Sequence, residues 1–394
     1  MARFLLIILL FIVTAKSAMP QKLPLENEIE IIGSFDGDEL LEAVLLIYDS
    51  LTRINDHNIR VEITNRVFEI TKDKDEQAHA ISLVSKVRFA ISDDFYLFED
   101  AYNIAAKNDN KDLMIYFDEW QVKWFLEYGI YDKAMLYLLR LRDFSKELGK
   151  DESYRHALNI LGDIYYNAKL MEQAKLSYEE ILQYYIDNNE WNYWRPIMLM
   201  NNLGAIALFN KDTALAYNWF SRSLKVADSL LYKPYRQNTL AYTKLKLAEI
   251  FRYKGEHIKA INLITEVEAY PDGSVFEDVI QEYYYQKAMW YLDVKQYDNS
   301  LKMTWKLYPS EHFTSAEYRF VPEVYKMLSV IYQGKSQYIQ ALKYLQIHTH
   351  LSDSIEKQGN IARSIILLAH KTYEAIESEN EMEKQRLELE QQKM

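Results

Sequence analysis

Six small residues recur along the chain at nearly constant spacing. They are Ala134, Ala174, Ala216, Ala260, Ser300 and Ala341, separated by 40, 42, 44, 40 and 41 residues. A period of that length limits the fold to a stack of like units, each touching only its neighbours. Other positions keep step with these marks. Thirteen residues before each mark stand Gln121, Leu161, Leu203, Leu247, Lys287 and Leu328. The next residue is small in five of the six cases (Gly162, Gly204, Ala248, Ala288, Ser329), with Val122 the exception. Three residues further on come Phe125, Tyr165, Ala207, Phe251, Tyr291 and Tyr332. Four residues after each mark come Leu138, Tyr178, Phe220, Ile264, Thr304 and Leu345.

The stretch from Tyr154 to Glu190 shows one unit plainly. Apolar residues recur at helical spacing on both sides of a break near Asn167 to Leu170, which predicts two amphipathic helices joined by a short turn. Leu161-Gly162 and Tyr165 on the first helix, with Ala174 and Tyr178 on the second, resemble a tetratricopeptide repeat. That resemblance implies an all-α, right-handed superhelical solenoid with an inner groove lined by the first helix of each pair. Gly (10) and Pro (7) are scarce, which argues against a turn-rich β fold. Helical stripes from Asp38 to Thr52, Arg60 to Thr71 and Gln77 to Ile91 read as degenerate early repeats, so about seven helix pairs are expected.

The two ends differ from the array. Phe4 to Val13 is an unbroken apolar run behind Arg3, followed by small residues and Pro20. The run suits a secretory signal and is short for a membrane span of ~20 residues. A signal peptide over residues 1–18, cut after Ser17 or Ala18, is therefore expected, with an uncleaved anchor as the alternative. The repeat domain is assigned to 19–359. Residues 360–394 read as a capping helix running into a charged, coiled-coil-like helix, ESENEMEKQRLELEQQKM, through which the chain could self-associate.

Signatures of chemistry are few. The chain has no Cys, which removes disulfides, thiolate metal sites and cysteine nucleophiles. No phosphate-binding glycine loop, Gly-x-Ser-x-Gly or His-Glu-x-x-His is present. His348 and His350 are two apart, so on a helix they face different ways and cannot chelate one ion together. Ser354 and Lys357 match Ser-x-x-Lys without its companion motifs. No cofactor, metal or enzymatic activity is expected. A net charge of −12 argues against nucleic acid as a partner.

The groove is what remains. Inner positions under the repeat register include Asn159, Asp163, Tyr166, Asn201, Asn202, Leu245, Lys246, Glu249, Arg252, Tyr285, Lys326 and Gln333. Asn202 and Lys246 fall on two positions of the carboxylate clamp found in some tetratricopeptide domains. However, Asn159 stands where that clamp has Lys and Asp163 where it has Asn, and an acid there would repel a carboxylate. A mixed-charge groove for a protein or peptide is expected instead; the alternative is that these residues only solvate the face. Trp191, Tyr193 and Trp194 cluster in a predicted loop, as an anchor site or as packing.

The order of parts carries a second resemblance. A signal sequence, long-period repeats and a charged helix resemble the periplasmic sensor half of membrane-bound regulators whose output is a LuxR-type domain or a histidine kinase. This implies an exported, periplasmic binding scaffold that feeds a signalling or transcription-regulating system, with membrane attachment through an uncleaved N-terminus or a downstream span. The chain covers the input half only and ends at Met394, as a piece of such a regulator or a free-standing relative. The competing reading is a secreted or surface-associated assembly scaffold.

Overall fold

A computed structural model describes residues 32–52, 56–89, 94, 96–190, 194–228, 233–270, 275–307 and 321–392. The expected signal peptide, and the loop residues Trp191 and Tyr193, lie outside these. Sixteen α-helices make up the described chain. They are α1 (Gly37–Leu51), α2 (His57–Thr71), α3 (Glu76–Arg88), α4 (Tyr96–Lys107), α5 (Lys111–Glu127), α6 (Tyr131–Glu147), α7 (Asp151–Asn167) and α8 (Met171–Asp187). There follow α9 (Trp194–Phe209), α10 (Thr213–Asp228), α11 (Lys233–Tyr253), α12 (His257–Glu268), α13 (Glu277–Asp293), α14 (Tyr297–Leu307), α15 (Val321–Gly334) and α16 (Tyr338–Gln392). Taken two by two along the chain they make eight pairs where the sequence predicts about seven; the helix not anticipated is α4, which buries Phe98, Ala101 and Ala105. No described helix is long and apolar enough to cross a membrane.

Capping and turn chemistry fix the helix ends. The Asp56 carboxylate accepts from the amides of Asn58 and Ile59, and Asp75 from those of Gln77 and Ala78. Within pairs the turn is closed by a left-handed residue. At Lys211 (φ 63°), its amide donates to Leu208 O at 2.9 Å and the Asp212 amide to Ala207 O at 2.8 Å. Lys295 (φ 58°) repeats this with Leu292 O at 3.0 Å and Gln296 N to Tyr291 O at 2.8 Å. Gly129 and Gly255 hold the same place at φ 71° and 73° without a Cβ penalty. Replacing the exposed Lys295 by Gly should therefore raise stability by about 0.5–1 kcal/mol, relief of left-handed strain outweighing the added freedom of the unfolded chain. Denaturant melts check this; an unchanged or lower midpoint would contradict the strain argument.

The helices divide into two compact units, one holding the described residues up to Ala157 together with those from Ile365 on, the other Leu158–Ser364. In the first unit Leu40, Val44, Ile81, Phe98, Phe117 and Phe125 form one apolar core. On its edge, Asp118 of α5 is fully buried against Arg140 of α6, whose Nε donates to Oδ2 at 3.0 Å. The guanidinium lies over the rings of Tyr102 (4.1 Å) and Tyr137 (4.8 Å). Burial pushes the Asp118 carboxyl up to about 6, with Arg140 pulling the other way. The folded state thus holds the proton longer than the unfolded chain, whose Asp titrates near ~3.9. The contribution of Asp118 is full below that value and lost as pH rises through about 6. Relative to Asp118→Asn, the wild type should lose stability between those two pH values and run parallel above. A gap that widens with pH would contradict this. From α16, Ile366, Ala369 and Tyr373 bury themselves in the same unit, and burial and then the Asp143 charge raise the Tyr373 phenol.

In the second unit the small residues are matched in size to what they face. A Cβ added at Gly162 would lie 2.5 Å from the Tyr178 ring, and one at Gly204 2.7 Å from the Phe220 ring. Where the first helix has Ala248 or Ala288 in place of Gly, the position holding Tyr178 or Phe220 holds the smaller Ile264 or Thr304, all four fully buried. The marks Ala174, Ala216, Ala260 and Ser300 are at 0 % exposure. Leu345 departs from the pattern at 45 %, since it belongs to the last pair. From α16, Glu356 pairs with Lys169 (2.8 Å) and with Arg363 (2.8 Å), while Arg363 also donates to Ala168 O at 3.2 Å. The last helix of this unit is thereby tied to the turn between α7 and α8.

Candidate functional site

The expected groove residues fall on the first helices of successive pairs: α7, α9, α11, α13 and α15. All lie within the second unit. They divide into three groups.

The first group surrounds Tyr178. Its hydroxyl donates to Asp163 Oδ1 at 2.6 Å, and Asn202 stands near enough to lower its pKa slightly. Asn159 Nδ2 reaches the other Asp163 oxygen at 3.4 Å. Crowding away from water raises the Asp163 carboxyl, with the Tyr178 hydroxyl pulling it down. Tyr178 is driven far above the usual phenol range, first by burial and then by the Asp163 charge. One tyrosine of α8 is therefore tied to α7. Tyr166, one turn on from Asp163 in sequence, is half-buried.

The second group is largely closed off from solvent, with Asp293 at its exposed end. Asn201 is buried, accepting from Ser223 (2.7 Å) and Thr243 (3.1 Å), so it joins α9, α10 and α11 and does not line a wall. Leu245 is in the apolar core and is likewise removed from the groove. Lys246 Nζ donates to Glu249 Oε2 (3.1 Å) and across to Glu282 Oε1 of α13 (2.8 Å). Gln286 bonds to both of these carboxylates through Nε2 (3.1 and 2.8 Å) and accepts from Arg252 Nη1 at 2.9 Å. Arg252 Nε donates to Asp293 at 2.7 Å. Burial draws the Lys246 ammonium down, but Glu249 and Glu282 outweigh it and hold it well above its ordinary value. These six polar side chains satisfy one another and fasten α11 to α13.

The third group reaches the surface, Tyr285 only in part. Tyr253 is 63 % exposed and donates to Glu249 at 3.1 Å. The phenol of Tyr285 lies among Glu323, Glu249 and Glu282, and is raised first by burial and then by those charges. Lys326 pairs loosely with Glu323 at 3.7 Å and is exposed, as is Gln333. Counting Lys246, Arg252 and Lys326 against Glu249, Glu282, Asp293 and Glu323, this side of α11, α13 and α15 carries three cations and four anions. Its polar groups suit hydrogen bonding to a partner; no nucleophile and base are juxtaposed there. Among the described residues no group of three or more His, Cys, Asp or Glu is placed to hold a metal ion.

Sequence reasoning missed Glu282, Gln286 and Asp293, which complete the network. On one amphipathic helix they read as a solvated stripe; only the neighbouring helix reveals what they meet.

No family model matches the chain, and no curated protein matches it. Solved structures do. The apo form of the quorum sensor NprR from B. thuringiensis is 13 % identical, with TM-score 0.50, over 89 % of this chain and 98 % of that one. A Rap protein complexed with competence and sporulation factor is 12 % identical, with TM-score 0.49, over 82 % and 100 %. A signal transduction ATPase with a tetratricopeptide repeat sensor from Pyrococcus horikoshii is 10 % identical, with TM-score 0.47, over 85 % and 54 %. At such identities the likeness concerns the fold, and the chain is an all-helical tetratricopeptide-like repeat protein.

Proposed function

We propose that the chain is a non-enzymatic scaffold that binds a peptide or protein on the first-helix face of its second unit. The observation that carries this is the division of labour on that face. Lys246, Arg252, Glu282 and Gln286 are spent on fixing α11 to α13. Tyr253 of α11 and Tyr285 of α13 are then held on a stiff support, with Asp163 of α7 and Lys326 and Gln333 of α15 adding acceptors and donors of mixed charge. A rigid surface loses little entropy on binding, and tyrosines supply contact area with few rotors. Panning short random peptides against the chain tests this. Enriched peptides should bind the wild type and lose most affinity on Tyr253→Ala or Tyr285→Ala. Peptides that bind these variants equally would move the site elsewhere.

We also assign this scaffold to the exported, sensory side of a signalling system. The N-terminal apolar run supports export, and NprR, whose fold this chain resembles, is a quorum sensor. Fractionation with N-terminal sequencing tests the first point: a periplasmic product beginning near Ala18 or Met19 is expected, and a cytoplasmic one would overturn it.

A further inference from the structure

A cavity of about 290 Å³ opens between the C-terminal ends of α12 and α14 and the first half of α13. On α13, at ~100° per residue, Ile280 and Lys287 point about 100° or more away from both Glu282 and Gln286, with Tyr283 and Val279 between the two sides. The cavity floor is apolar, with Val267 and Val279 buried and Met303 beside them. Two phenol rings, Tyr283 and Tyr284, meet at 5.3 Å and form a wall.

Three charges border this apolar space. Lys287 is committed: its ammonium donates to both Glu268 oxygens at 2.8 Å and to the Tyr283 hydroxyl at 2.7 Å. Lys306 is held less tightly: it stands over the Tyr284 ring at 5.0 Å and makes no ion pair among the described residues, and its charge reaches Glu268 only through space. Two lysines against one glutamate leave the rim with an excess of one positive charge in a chain whose net charge is −12. An ammonium above an aromatic face, at the rim of a pocket floored by Val267, Val279 and Met303, suits an anionic group attached to an apolar body. The volume is at the small end for ligand sites, about the size of one aromatic amino acid, and too small for a longer chain.

We propose that this cavity binds a carboxylate carried on an aromatic or apolar group, the body against Val279 and the tyrosines and the carboxylate against Lys306. The site is separate from the peptide-binding face and does not depend on it.

Calorimetric titration with 3-phenylpropanoate and with 3-phenylpropanamide tests the proposal. The acid should bind at least tenfold more tightly than the amide. Lys306→Met should abolish that preference, and Lys306→Arg should restore it. Lys306 is exposed, so both variants should melt as the wild type does. Tyr253→Ala should leave the titration unchanged. A tripeptide Gly-Gly-Phe identifies the source: tighter binding than the free acid means that the carboxylate is a peptide end, weaker binding that it is a small molecule. Equal binding of acid and amide, no binding in the millimolar range, or a preference surviving in Lys306→Met would overturn the proposal.

Discussion

Gly162→Trp should destabilise the second unit by about 3 kcal/mol and lower its helicity, the upper range for overpacking a core. The position has no room for even a methyl group, since a Cβ would sit 2.5 Å from the ring of Tyr178. Tyr178 cannot swing away freely, because it is buried and its hydroxyl holds Asp163. A double-mutant cycle at the next pair tests the size rule itself. Gly204→Ala alone should destabilise, with Phe220 in the way; adding Phe220→Ile recreates the Ala248 and Ile264 combination and should recover part of the loss. Thermal melting reads both. An unchanged melt for Gly162→Trp, or no recovery in the double variant, would mean that these helices do not touch where the repeat register has them touch.

Lys246→Met should cost about 3–5 kcal/mol at neutral pH, because removing one partner of a buried ionic cluster leaves uncompensated charge. Glu282 is 1 % exposed, and it accepts from Gln286 as well as from Lys246. Without the ammonium, burial should raise the Glu282 carboxyl in the folded state above its unfolded value. The sign then follows: a carboxyl raised in this way contributes stability at acid pH that disappears as pH climbs. The deficit of the variant should shrink when denaturation is repeated near pH ~4.5, close to the ordinary glutamate range. A deficit equal at both pH values would show that the loss comes from packing of the lysine stem and not from stranded carboxylates.

The repeat was legible because it is written in volume. Ala174, Ala216 and Ala260 mark places where two helices meet with no space between, and each is fully buried. Helix boundaries were harder. The usual glycine after a helix is replaced at Lys169, Lys211, Lys295 and Ser336 by residues that carry the left-handed turn at some cost, so the turn lacked its customary signal. The face of interest was legible only as a set of polar first-helix positions. Periodicity says that Asn201, Lys246 and Arg252 share a side of their helices. It does not say whether water or another helix lies opposite, and here the next first helix supplies Glu282, Gln286 and Asp293. The cavity near Lys306 had no signal at all, being assembled from three helix ends.

The tie between α16 and the turn after α7 changes how the second unit must be made. A plain solenoid is a nearest-neighbour chain: each unit can fold as it leaves the ribosome, and losing the last one is felt only next door. Here Lys169 and Glu356 are 187 positions apart, so one contact spans nearly the whole unit. That adds a long-range contact to an otherwise local fold. The first turn of the unit is closed by its own backbone bonds, and it gains this tie only when the last helix arrives. A break anywhere in α16 ahead of Glu356 would reach back to it directly, without passing through the repeats between.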